Sequence, residues 1–268
     1  MSASADGSCV RSVVLTGASR GLGAALFQAL QADGARVYGL ARTFTAEQEL
    51  LAAQRPASVW LRAGDLGDTG SGVPAPDGLG LAGGGLPSGA ELAAFVGDAG
   101  PDDEVVLLHN AATVEPIALA GDLPPAAVLA AVNLNLVAPI LLTNLFLATF
   151  RASRARLRIV YVASAAAHRA YPGWATYCAT KAGAEAFMRC VGEAAGAPCE
   201  VEIIDPGAIE TQMQRTLRDL GAGLPGHARL VERHQVGDIG DPSMVAKGIV
   251  QRHFPPLVPL AENNAAAA

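Results

Sequence analysis

The stretch Thr16-Gly17-Ala18-Ser19-Arg20-Gly21-Leu22-Gly23 constrains this chain more than any other part of it. It follows an apolar run, Ser12-Val13-Val14-Leu15, that reads as a buried strand. It opens a segment, Leu22 to Ala32, whose apolar residues recur at helical spacing. The glycines permit a tight turn and let a ligand approach the backbone closely. A helix that starts at such a turn points unpaired N–H groups at the ligand, which favours a pyrophosphate. Gly34 then ends the helix, and Arg36-Val37-Tyr38-Gly39-Leu40 reads as a second strand. Strand, turn, helix, strand is a βαβ unit, and such a unit implies parallel pairing.

The alternation continues. Helices are expected over Ala46 to Ala53, Glu91 to Gly97, Ala126 to Phe150 and Trp174 to Ala195. Strands are expected at Val59 to Leu61, Glu104 to Leu108, Leu157 to Val162 and Glu200 to Ile204. Helix-like pieces near Gln212 to Asp219 and Pro242 to Arg252 complete the pattern. The fold class is therefore α/β: a single doubly wound domain over 1–268, with a parallel sheet and helices on both faces. Residues 67–89 are dense in Gly, Pro, Asp and Ser and read as a surface loop within that domain. The tail 254–268 reads as irregular, because Pro255, Pro256 and Pro259 disfavour a closing central strand.

Composition narrows the class. Half the chain is hydrophobic (51%), only 16% is charged, and the net charge is −6. No basic face stands out, so nucleic acid is not an expected partner. Arg151, Arg154, Arg156 and Arg158 read as a solvated helix end. The four cysteines form no C-x-x-C pair, and no Cys/His group has ligand spacing, so no metal is expected. Such thiols fit a reducing cytoplasm. No secretory leader is visible. The longest apolar run, Val128 to Phe150, is interrupted by Asn133, Asn135, Pro139 and Asn144, so no membrane span is expected.

Several polar residues sit where chemistry would need them. Arg20 lies in the glycine turn and Arg42 just past the second strand, where no Asp or Glu is present. Arginines there suit an adenosine 2′-phosphate, so the expected cofactor is NADP(H) and not NAD. Asp65-Leu66 follows the third strand and is placed to meet the adenine. Tyr177 and Lys181 are four residues apart on one predicted helix and so share a face. Ser164 ends the preceding strand. Asn133 is an amide in an apolar helix and wants a partner. Carbonyl reduction delivers a proton to oxygen while hydride reaches carbon. A phenol can do this if nearby positive charge moves its pKa, ordinarily about 10, toward working pH.

On these residues the chain resembles the short-chain dehydrogenase/reductases along nearly its whole length. The glycine turn matches through Gly17, Ser19, Arg20, Gly21, Leu22 and Gly23, and His109-Asn110-Ala111-Ala112 is similar to the family's N-N-A-G strand end. Ser164, Tyr177 and Lys181 match its Ser and Y-x-x-x-K, and Asn133 is read as its asparagine. Pro206-Gly207-Ala208-Ile209-Glu210-Thr211 resembles the motif beside the nicotinamide, with Ile209 and Thr211 against the carboxamide. Ala167 to Trp174, Tyr177-Cys178 and Gln212-Met213-Gln214 are similar to the sepiapterin reductase and benzil reductase branch. The resemblance implies an NADPH-dependent reductase of ketones or dicarbonyls, a small carbonyl or alcohol substrate, and a homodimer or homotetramer. By position the pocket walls are Val114, Ala165, Ala166, His168, Tyr171, Trp174 and Met213. The competing expectation is a protein that senses NADP(H) and has lost the chemistry.

Overall fold

The computed structural model describes residues 9–70, 84–194, 199–220 and 222–259. Six parallel strands form one sheet: β1 (Arg11–Thr16), β2 (Arg36–Ala41), β3 (Val59–Ala63), β4 (Glu104–His109), β5 (Arg156–Val162) and β6 (Glu200–Ile204). Their order is β3-β2-β1-β4-β5-β6. The chain reverses its winding between β1 and β4, so a crevice opens at the carboxyl ends of those two strands. This is a doubly wound Rossmann-like sheet.

Both faces are covered, which is why β1 and β4 are near-continuous apolar runs. Helices α1 (Gly21–Ala32), α2 (Ala46–Gln54) and α9 (Pro242–His253) lie on one face, around Leu26, Phe27, Ile249 and Phe254. On the other face, α3 (Gly89–Val96), α5 (Ala138–Thr149) and α6 (Ala175–Glu193) enclose Phe95, Phe146 and Met188. The expected long helix is continuous but not uniform. A regular α4 (Pro125–Val132) passes through a π-turn at Asn133–Val137 into α5. By length and composition this helix could cross a membrane, contrary to the expectation from its Asn and Pro residues. Its most apolar stretch has a mean hydropathy of 2.0, and 33% of that stretch is buried.

The described part of the Gly/Pro-rich loop is tied down. Gly85 N–H donates to Asp68 O at 2.8 Å, and Arg62 Nη1 donates to Gly85 O at 2.6 Å. Ser88 and Glu91 form a capping box, so the loop ends one residue earlier than expected and Gly89 begins α3. Residues 71–83 lie outside the described residues.

The arginine cluster is not the solvated helix end expected from sequence. Arg151 and Arg154 are exposed, but Arg156 and Arg158 belong to β5 and Arg158 is buried. Arg158 pairs with Glu104 and Glu202, and Arg11 pairs with Glu104 and Asp33. Arg11 also donates to the carbonyls of Phe254 (3.2 Å) and Pro255 (2.6 Å). The Phe254 ring lies between the guanidinium groups, 5.5 Å from that of Arg11 and 5.1 Å from that of Arg158. His253 closes the set on Glu202. The described part of the tail, 254–259, therefore docks irregularly at the amino end of the sheet. Among the described residues the sheet ends at β6.

Burial opposes ionisation of Glu202, but Arg158 and His253 outweigh it and hold the carboxyl below its usual range. Its contribution to stability is present at neutral pH and is lost on acidification through that lowered pKa. Arg158→Met would take one partner each from Glu104 and Glu202, which keep Arg11 and His253. We expect a loss of about 1–2 kcal/mol, read as a fall in Tm of roughly 2–8 °C by differential scanning calorimetry. An unchanged Tm would show that the cluster is only decorative.

Candidate active site

Every expected site segment reaches the carboxyl edge of the sheet. The glycine turn leaves β1 with Gly17 at φ +68° and Gly21 at φ +54°. Gly23 has no room for a side chain, because a Cβ there would lie 1.9 Å from Gly17 O and 2.6 Å from Asn110 Nδ2. Asn110 Nδ2 donates to Thr16 O at 3.0 Å, and Thr16 Oγ1 accepts from the N–H groups of Asn110 (2.9 Å) and Ala111 (3.0 Å). The Asn110-Ala111-Ala112 strand end is thus a buttress under the turn.

Helix α1, like α4 and α6, starts without a side-chain cap, whereas three other helices have one. Thr45, Ser88 and Asp241 cap α2, α3 and α9 with their side chains. At α1 the capping residue is Arg20, which makes no capping bond, and the first turn holds no acid. Its N–H groups therefore face the crevice uncapped, as a bound pyrophosphate requires. Arg20 and Arg42 are exposed, and neither makes an ion pair or hydrogen bond with the described residues. Gln48, which the sequence reading overlooked, is buried. It donates to Ala18 O at 2.9 Å and accepts from Thr45 N–H at 3.2 Å, so it joins the turn to the segment after Arg42.

Asp65 is exposed and accepts from Gly67 N–H at 2.9 Å, while Leu66 is buried in the core. Thr211 lies against the turn, its Cγ2 3.2 Å from where a Gly21 Cβ would stand. After Pro206-Gly207, the Ile209 side chain is buried under α9, and the backbone there bridges to Gly240.

The second cluster gathers on α6. Tyr177 and Lys181 are both buried, one helical turn apart. Ser164, at the end of β5, starts a short 3₁₀ turn over Ala165–Ala167, and its hydroxyl faces the Tyr177 phenol. Lys181 Nζ donates to Val162 O at 2.7 Å. It lies 4.8 Å from the centre of the Tyr161 ring and 6.0 Å from that of Tyr177. Burial pushes Tyr177 up to about 12, and Ser164 only partly offsets this. In the protein alone the phenol is held protonated, not lowered as the sequence argument expected. The ammonium is turned toward Val162 O, and desolvation dominates. Burial lowers Lys181 to about 8, against the pull of Asp205 and Glu185.

Asn133 is half-buried in the π-turn, and its side chain makes no hydrogen bond with the described residues. The amide that joins the loop after β4 to α6 is Asn135, which is buried. Its Oδ1 accepts from Thr113 N–H at 2.8 Å, and its Nδ2 donates to Thr113 O at 2.7 Å and to Thr180 Oγ1 at 3.2 Å. Asn135 therefore links the loop after β4 to α6 between Tyr177 and Lys181. His109 is buried too. Its Nε2 pairs with Thr143 Oγ1 at 2.9 Å, and burial, aided by Lys181, lowers it to about 3.

Beside Tyr177 lies a packed apolar cluster. It includes Val114, Ala166, Tyr171, Trp174 and Met213, and Ala165 is half-buried in the Ser164 turn. Tyr171 and Trp174 stack with ring centres 4.7 Å apart. His168 does not join the cluster; its Nε2 meets Glu185 at 2.9 Å. Leu217 of α7 (Gln212–Leu220) and Leu230 of α8 (His227–Gln235) pack into the same cluster. Glu210 accepts both Arg218 guanidinium nitrogens (3.0 and 2.8 Å) and lies 3.2 Å from His234, so it binds these two helices to the loop after β6.

A model of the short chain dehydrogenase family matches residues 91–220. The benzil reductase ((S)-benzoin forming) of Bacillus cereus is 26% identical over 246 residues, which is 90% of this chain and 92% of that protein. The benzil reductase ((S)-benzoin forming) of Bacillus subtilis (strain 168) is 32% identical over 146 residues, 53% of this chain and 60% of that protein. A short-chain dehydrogenase/reductase from Burkholderia vietnamiensis superposes with a TM-score of 0.61 at 30% identity, covering 82% of this chain and 94% of that one. The chain belongs to the short-chain dehydrogenase/reductase family, and within it resembles the benzil reductases.

Proposed function

We propose that this protein is an NADPH-dependent reductase of ketones or vicinal dicarbonyls. The observation that carries the reading is the convergence of Ser164, Tyr177 and Lys181 at the carboxyl edge of the sheet, the edge from which the uncapped α1 starts. The glycine turn Gly17–Gly23 with Arg20 and Arg42 would hold NADPH, which would supply the hydride for the carbonyl carbon. Tyr177 donates its phenolic proton to the carbonyl oxygen, and its raised pKa keeps that proton available at neutral pH. Ser164 orients the carbonyl, and Lys181 stabilises the phenolate left behind. Asn135 keeps α6 in register with the loop after β4. The apolar cluster beside Tyr177, with its Tyr171–Trp174 stack, suits a flat aromatic substrate, and the names of the Bacillus relatives point to benzil as the first compound to try.

Arg20 and Arg42 are assigned to the 2′-phosphate of NADPH. Arg42→Ala should raise the Kd for NADPH about 10- to 100-fold and leave that for NADH within about twofold, measured by fluorescence titration. An equal effect on both cofactors would remove Arg42 from the phosphate site. NADPH oxidation with benzil, other dicarbonyls and simple ketones tests the activity itself. Binding without turnover across the panel would favour the sensor reading. The apolar α4–α5 helix, with Leu129 exposed, supports association of copies into a homodimer or homotetramer, to be read by sedimentation. All four cysteines are free thiols, which supports a cytoplasmic setting.

A further inference from the structure

Lys181 is a buried ammonium with no carboxylate at ion-pair distance among the described residues. Its direct contacts are the Val162 carbonyl and the face of Tyr161. A charge so placed needs a counter-charge at longer range. Two acids outside the Y-x-x-x-K motif are in position. Glu185 follows Lys181 by one helical turn on the same face of α6 and is itself buried. One of its oxygens meets His168 and Arg189, while Oε2 is buried without a partner. Leaving a carboxylate oxygen unpaired is costly, so packing alone does not account for an acid there. Asp205 follows β6. Val201 and Ile203 pack toward α6, whereas Ile204 packs toward the opposite face. Alternation therefore carries Asp205 to the α6 side, next to the strand end that bears Ser164.

We propose that Glu185 and Asp205 are the counter-charge of Lys181 and act as positioning residues of the reduction, keeping the ammonium in its seat beneath Tyr177. The inference rests on the catalytic reading above. The other titratable groups around the ammonium are Tyr177 on its own helix, Tyr161 on β5 and His109 on β4. Burial keeps both phenols and the imidazole neutral at working pH. Glu185 and Asp205 are the groups that favour the charged lysine, against desolvation that leaves it at about 8. Glu185 is shared with His168 and Arg189, which face it from the Ser164 turn and from the next turn of α6.

The sequence makes a direct test practical, because Lys181 and Lys247 are the chain's two lysines. The full protein with isotope-labelled lysine gives two side-chain NMR signals, and Lys247→Arg assigns them. Glu185→Gln and Asp205→Asn should each lower the Lys181 midpoint by about 0.5–1 pH unit, and the pair together by about the sum. The alkaline limb of kcat should move with it, whereas a merely structural role would lower kcat with the limb in place. If Glu185→Gln fails to fold, Asp205→Asn, at an exposed position, still decides. A Lys181 midpoint that stays within roughly 0.2 unit in a folded variant overturns the proposal. If no carbonyl is reduced, the functional reading fails while the titration still judges the counter-charge.

Discussion

Tyr177→Phe is expected to lower kcat for carbonyl reduction about a thousandfold while leaving NADPH affinity within about threefold. The substitution removes one oxygen from a buried ring and keeps its packing against Val114, Ala166 and Leu217. What disappears is the proton that must reach the carbonyl oxygen as hydride reaches carbon. The raised pKa, about 12, gives the sign of the pH dependence. Reduction consumes the protonated phenol, so beyond the limb set by Lys181 its rate falls further as pH rises toward that value. Oxidation of the alcohol needs the phenolate and gains over the same range. A Phe variant that retained more than about a tenth of the wild-type rate would assign the proton to another group.

Lys181→Met is expected to abolish turnover and yet raise the melting temperature at neutral pH. Burial holds Lys181 at about 8 against its ordinary 10.5. A lysine with a lowered folded pKa destabilises the fold fully below the lowered value, and the cost fades as pH rises toward 10.5. Here that cost is on the order of 3 kcal/mol. Methionine removes it but leaves Val162 O without its donor, returning about 1–2 kcal/mol. The net gain of about 1–2 kcal/mol corresponds to roughly 2–6 °C at pH 7, shrinking above pH 9. Calorimetry at both pH values checks this. A lower melting temperature at pH 7 would mean that the ammonium stabilises its surroundings more than its burial costs.

Much of the molecule is legible from local pattern. The β1–α1–β2 unit, all six strands and the Tyr177–Lys181 face follow from apolar runs, helical spacing and glycine. Each is a contest between neighbours in the chain, and neighbours are what a sequence displays. Helix α8 is the element that this reading missed. It has no fully buried residue, so its pattern shows no core-facing stripe to find.

The contacts that local pattern does not display share a cause. Asn133 and Asn135 are two residues apart in a helix that is apolar all round, so they point about 200° apart with no polar stripe to mark the inner face. Only the packing of α6 and Thr113 against the π-turn decides that Asn135 is the one inside. Arg158 reads as solvated beside Arg154 and Arg156, until Glu104, Glu202 and Phe254 arrive from three distant segments. His168 points at Glu185 instead of the apolar cluster because the Ser164 turn lies along α6. The sequence by itself determined the layer order, the phosphate turn and the Ser, Tyr and Lys types, since periodicity and backbone freedom are local. The tertiary structure alone decided which polar side chains are buried and what they meet, because desolvation and pairing depend on groups remote in the chain.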